Sequence, residues 1–250
     1  TVSGTPTYAF SGAIPNGGTV DGNVALEVDG NVALDFNSTD NAGNVEATKR
    51  AFVLIDRTPP AGTNLNFSSS TNNLIVVNVS GASDSLSGLN AAPYWFDADS
   101  SARNSGWISG NSWNDNSLTP NSLHSYRVKA RDAASNESAF TIAQSKYTLA
   151  NNPSISASTV TCTSTNCSVS FDLNSNPVVT EYFIDENTGN LGGNDSGWIT
   201  AASPYIDSGL SSGLQYCYKI KARNGDSVET AFSTQVCAFA QVSAPVISAV

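Results

Sequence analysis

Tyr126-Arg-Val-Lys-Ala-Arg-Asp132 and Tyr218-Lys-Ile-Lys-Ala-Arg-Asn224 are one pattern written twice, 92 residues apart. In each copy apolar residues alternate with Arg or Lys at a period of two. That pattern is a strand with one buried face and one wet, basic face. The surroundings repeat as well. Ser105-Gly-Trp107-Ile returns as Ser196-Gly-Trp198-Ile, and Tyr94-Trp-Phe-Asp97 as Tyr182-Phe-Ile-Asp185. Asp40-Asn-Ala-Gly-Asn44 returns as Asp132-Ala-Ala-Ser-Asn136, and Asn152-Pro-Ser-Ile-Ser as Ala244-Pro-Val-Ile-Ser. The offsets drift between 88 and 92, as short loop insertions between fixed strands would make them. A period of this size suits one β-sandwich of roughly 100 residues, whereas solenoid repeats are much shorter.

Working outward, the other strands and the boundaries follow. Leu74-Ile-Val-Val-Asn-Val79 is short and β-branched, and Ser168-Val-Ser-Phe-Asp-Leu173 alternates with Val169, Phe171 and Leu173 on one face. No window keeps a 3.6 period. Asp56-Arg-Thr-Pro-Pro60 closes a first module, because consecutive prolines stiffen the chain and cannot extend a ladder. Ala150-Asn-Asn-Pro153 closes a second. The expected layout is therefore 1–58, 59–150 and 151–243, with 244–250 as the first strand of a further module or a donor strand. Such short linkers favour a semi-rigid extended array. If Tyr8-Ala-Phe10 corresponds to Tyr94 and Tyr182, the first module starts at its third strand and lacks two.

Composition narrows the function classes. The 250 residues carry a net charge of −10 with only 13% charged residues, 9% aromatics, four cysteines and one histidine. An acidic chain with 11 Lys+Arg is a poor match for a nucleic-acid backbone. No run approaches the ~20 apolar residues of a membrane span. A single histidine, His124, leaves little for histidine-based metal or triad chemistry. There is no Gly-x-Ser-x-Gly, no Lys-bearing phosphate loop and no paired histidine motif, so no enzyme is expected.

Leu118-x-Pro120-x-Ser122-x-His124-x-Tyr126-x-Val128-x-Ala130 resembles the fibronectin type III signature leading into the sixth strand. The third module reads Leu210-x-Ser212-x-Leu214-x-Tyr216-x-Tyr218-x-Ile220-x-Ala222. The resemblance makes Tyr216 a corner tyrosine bonding nearby backbone, with His124 in that place in module two. The usual second-strand tryptophan is absent. Val28 to Pro60, with Asp40-Asn-Ala-Gly-Asn44 and Ile55-Asp-Arg-Thr-Pro-Pro60, resembles the closing segment of bacterial immunoglobulin-like repeats. The fold class implied is all-β: tandem immunoglobulin-like (fibronectin type III-like) β-sandwiches in an extended array. The resemblance further implies a bacterial surface or secreted protein.

Candidate sites are few. Cys162, Cys167, Cys217 and Cys237 all lie in module three, and four cysteines allow three pairings. Local pairs 162–167 and 217–237 are favoured, with 167–217 as the runner-up. Disulfides imply an oxidising compartment, hence an extracellular or cell-surface location. Asp40, Asn44, Asp56, Asp132 and Asn136, with Asp21, Asp29 and Asp35 nearby in sequence, form oxygen-rich turns suited to Ca²⁺. The same residues also build turns unaided, since Asp and Asn bond their own backbone, and both readings stand. No cofactor is required; Ca²⁺ is the one candidate. Trp113 does not recur between modules and is the candidate for stacking a ligand, whereas Trp107 and Trp198 recur and read as packing residues. Val246, Ile247 and Val250 are the candidate donor strand.

The expected function is a structural segment of an extracellular bacterial stalk, surface layer or filament, assembling head-to-tail by strand addition. The alternative is a set of adhesive or carbohydrate- or protein-binding accessory modules of an adhesin or secreted hydrolase. The expected partners are other copies or neighbouring modules of a longer chain, or a glycan or cell-surface protein. No nucleic acid and no membrane span are expected.

Overall fold

The computed structural model describes residues 5–11, 18–19, 29–39, 42–200 and 204–242. Among these residues no helix is long and apolar enough to cross a membrane. The expected donor residues Val246, Ile247 and Val250, and Asp21 and Asp40 of the acidic turns, lie outside them. Three strand groups follow one another. The first holds β1 (Thr5–Ser11), β2 (Gly18–Thr19), β3 (Gly30–Thr39) and β4 (Lys49–Ile55). The second holds β5 (Asn64–Ser70), β6 (Leu74–Ser80), β7 (Leu89–Ala98), β8 (Arg103–Ile108), β9 (Ser112–Asn116), β10 (Leu123–Asp132) and β11 (Gln144–Tyr147). The third holds β12 (Val160–Cys162), β13 (Asn166–Val169), β14 (Glu181–Glu186), β15 (Trp198–Thr200), β16 (Tyr205–Ser208), β17 (Gln215–Arg223) and β18 (Val236–Phe239).

Modules two and three share one architecture. A four-stranded sheet, β11-β10-β7-β8 or β18-β17-β14-β15, faces a three-stranded one, β5-β6-β9 or β12-β13-β16. All pairings are antiparallel. The alternation in β10 and β17 decides which side is core: Tyr126, Val128 and Ala130, and Tyr218, Ile220 and Ala222, are all buried. They meet Ile75, Val77 and Phe96 in module two, and Val169, Tyr182 and Ile184 in module three. The run from Ser168 to Leu173 is shorter as a strand than its alternation suggests. β13 ends at Val169, because the turn Ala157–Thr159 interrupts the partner strand, and pairing resumes only at Ser154–Asp172. Phe171 and Leu173 still pack on the core.

Module one differs. Its described strands form a single sheet, β2-β1-β3-β4, the order of the four-stranded layer in the other two modules. No opposing sheet is present among the described residues. The cross-strand pair Asp35–Arg50, with contacts of 2.5 and 2.6 Å, pins the β3–β4 register. The Arg50 hydrogen bond also holds the Asp35 carboxyl below its ordinary pKa. β4 is the outer edge, and Phe52 and Leu54 on it are 65% and 53% exposed.

Candidate functional site

A group of three carboxylates lies where module one meets module two. Asp56 leaves β4, Asp84 sits in the loop between β6 and β7, and Asp132 ends β10. Each offers an oxygen, and these oxygens lie within 4.8 Å of one another. Local hydrogen bonding aims them. Ser87 N and Thr58 N donate to Asp56 at 3.0 and 3.1 Å. Leu86 N and Gly88 N donate to Asp84 at 3.0 and 2.9 Å. Asn136 donates twice to Asp132, from its backbone and its amide, at 2.8 Å each. The Ser87 hydrogen bond is the main reason the Asp56 carboxyl titrates below its usual range. Asp132 is fully buried. Among the described residues no Lys, Arg or His forms an ion pair with any of the three.

Such a donor set fits Ca²⁺. Oxygens at ~2.4 Å from one ion, on opposite sides of it, stand ~4.8 Å apart. The structure brings together Asp56 and Asp132, two of the five residues expected as Ca²⁺ candidates, and adds Asp84. Asp84 was missed because it lies in a different loop; its only signal is the Asp-Ser-Leu-Ser-Gly turn at the same end of the sandwich. Asn136 is a correction. Its amide nitrogen faces Asp132 and the Asp56 carbonyl, at 2.8 and 3.0 Å, so it braces the site instead of lending it an oxygen. Asn44 is exposed in the turn after β3.

Trp113 is a second correction. It lies on β9, whose inward face puts its ring 6.3 Å from Phe96 and 6.2 Å from Tyr126. The ring is part of the core wall and offers no open platform for a sugar. The aromatics on the outer face are instead roofed by cations. Arg131 lies 4.3 Å over Trp107, and Arg223 lies 4.3 Å over Trp198. Lys129 reaches Trp95, Trp107 and Phe140, while Lys221 reaches Phe183, Trp198 and Phe232. Carboxylates neutralise most of these cations: Arg127–Asp97, Lys129–Glu137, Lys221–Glu229 and Arg223–Glu181 are all within 2.7 Å. Each cation–ring contact contributes about 0.5–1 kcal/mol on a surface. The wet, basic face is thus a self-paired ladder, built twice.

His124 stands in a constellation with the distances of a nucleophilic relay. Ser122 Oγ is 2.8 Å from its Nε2, and Asp99 Oδ2 is 2.8 Å from its Nδ1. A general base must accept the nucleophile's proton. Ser122 instead donates to the Thr119 carbonyl at 2.6 Å, which leaves its oxygen to accept a hydrogen bond from the imidazole. Arg103 also sits 3.1 Å from Nδ1. The group ties the corner before β10. In module three Tyr216 performs the same tie by other means: it donates to Leu191 O at 2.7 Å and accepts from Ser211 N at 2.8 Å.

Beneath each corner lies a buried acid. Asp115 bonds the Tyr126 hydroxyl at 2.9 Å and pairs with Arg103. Asp207 bonds the Tyr218 hydroxyl at 3.0 Å and the Asn194 backbone at 3.2 Å. By the offset of 91 that relates Ser105 to Ser196, the position equivalent to Arg103 is Asn194, so no arginine serves Asp207. Burial accordingly pushes the Asp207 carboxyl above its ordinary pKa, and pushes the Tyr205 phenol up to about 12. In the same module Cys162 is bonded to Cys167, closing the β12–β13 hairpin, and Cys217 to Cys237, joining β17 to β18.

No protein-family model matches the chain. A curated relative, "Exoglucanase B" of Cellulomonas fimi, is 29% identical over 195 residues. The match covers 73% of this chain and 18% of that enzyme, so the chain spans under a fifth of the relative's length. Similar solved structures include a two-domain fibronectin type III segment of chicken tenascin, at 13% identity and TM-score 0.44, covering 74% of this chain and all of that one. Chicken CNTN1 FN1–FN3 domains match at 14% identity and TM-score 0.34, covering 84% and 78%. Overlays at these scores add nothing to the strand orders already described. Three antiparallel strands facing four, twice in succession, is the sandwich architecture that fibronectin type III domains share with immunoglobulin domains. The chain carries tandem fibronectin type III-like modules.

Proposed function

We propose that the chain is a non-catalytic structural segment of an extracellular bacterial protein, holding neighbouring parts at a set spacing and orientation. The observation that carries this reading is the first junction. There Asp56, from the end of module one, is inserted between two loops of module two and bonded to Ser87. A linker this short has no slack to act as a flexible tether. In this reading Ca²⁺ sits among Asp56, Asp84 and Asp132 and fixes the joint. Small-angle scattering and thermal melts, with and without excess chelator, test both parts. A rod that bends in chelator, with a lower melting temperature, supports the ion; an unchanged melt removes it. A flexible string under all conditions removes the spacer reading.

Head-to-tail assembly is the finer proposal. β4 is an open edge, and strand addition by Pro245–Val250 of another copy is the mode that would use it. Polymer length unchanged after deletion of those residues would refute it.

The enzyme relative favours a second reading: accessory modules of a secreted hydrolase. The relative's name identifies it as an exoglucanase. Pull-down on insoluble cellulose separates the readings, because a spacer stays in the supernatant.

A further inference from the structure

The second junction is built from the same positions as the first, with different chemistry. Thr148, Asn176 and Asn224 lie 92 residues after Asp56, Asp84 and Asp132. All three are buried, with exposures of 0%, 5% and 3%. Where the first junction gathers three carboxylates, the second has a hydroxyl residue and two amides at the matching positions.

These groups clamp the joint at three separate places. Asn121, from the loop before β10, donates to Thr180 Oγ1 at 2.8 Å and accepts from Gly225 N at 2.9 Å. Asn224, after β17, donates to the Thr148 carbonyl at 3.0 Å, and Asp226 next to it pairs with Lys146 at 2.8 Å. Within the linker, Asn151 N donates to Asn176 at 2.7 Å, and the Asn176 amide returns a bond to Asn151 O at 2.9 Å. Asn72 of module two also reaches Asn151, at 2.5 Å. A tilt of one module would strip buried amides of their partners before water could reach them, and each orphaned polar group is costly. Packing closes the same gap. A Cβ on Gly225 would stand 2.2 Å from the Tyr147 ring, so the loop lies flat against that ring.

We infer that modules two and three form one rigid body, held by a neutral amide latch that needs no ion. Inter-module motion in the described chain then falls on the first junction. The inference does not depend on Ca²⁺ binding there.

Residual dipolar couplings of the isotopically labelled chain test it. One alignment tensor should fit both modules, in Ca²⁺ and in EDTA alike. The Asn121→Ala/Asn224→Ala double variant should need two tensors, while each module still fits its own structure. A wild-type chain needing two tensors overturns the rigid body, and a split caused by EDTA overturns its independence of ions. A double variant still fitted by one tensor overturns the assignment to the amides. If that variant loses a folded module, Gly225→Val decides, since it touches neither core: two tensors support the joint, and one overturns it. A failure of the chelator melt at the first junction leaves all of these outcomes readable.

Discussion

Replacing Arg103 with Met should destabilise module two by about 3 kcal/mol at neutral pH. The arginine binds Asp115 through three contacts of 2.9–3.1 Å and Asp99 through one of 2.8 Å. Asp115 is 3% exposed, so its charge has no water to turn to. Removing one partner of a buried pair costs about 3–5 kcal/mol. Two features place the figure at the low end. The Arg103 side chain is 33% exposed, which screens the pair, and the Tyr126 hydroxyl bond to Asp115 survives. At about 4–8 °C per kcal/mol for a domain of this size, the melting temperature should fall by roughly 12–24 °C. Calorimetry at neutral pH, with module three as internal reference, measures it. A loss under ~1 kcal/mol would refute the assignment of Asp115 as a buried charge held by Arg103.

Other outcomes follow from the same geometry. Because the Asp207 carboxyl is pushed up in the folded state, its contribution is fully present below the unfolded value near 3.8 and is lost as pH rises through the folded one. Urea midpoints of module three should therefore drop across that window, and Asp207→Asn, which keeps an acceptor for Tyr218, should flatten the drop. Replacing Cys217 and Cys237 with Ser opens a crosslink of sequence separation 20 and should cost about 3 kcal/mol; Cys162 and Cys167, separated by 5, should cost about 2. Denaturant titration of the two double variants gives the order. Trp198→Ala removes the ring under Arg223 and beside Phe183, and should cost about 2 kcal/mol, below a fully buried tryptophan because the residue is only partly buried. Trp107→Ala should match it in module two, as read by thermal melts of each.

The sequence by itself determined the modules. A two-residue period in Tyr126–Asp132 and Tyr218–Asn224 forces one face inward, because a strand has only two faces and one of them is apolar. The 92-residue repeat then places the other strands, and the recurrence of Trp107 and Trp198 marks them as packing residues. The local disulfide pairs were favoured over 167–217 from the sequence, and the corner role of Tyr216 followed from the fibronectin type III resemblance. Only the tertiary structure decided what lies between distant loops. Asp84 joins Asp56 and Asp132 because three loops end at one pole of a sandwich, a fact that spacing does not encode. Trp113 turns inward because β9 pairs with β6 in a register that points it at Phe96. The difference between the junctions is of the same kind. The 92-residue offset aligns the three aspartates with Thr148, Asn176 and Asn224 along the chain, but only folding brings each trio to a joint and decides which bonds its members make there.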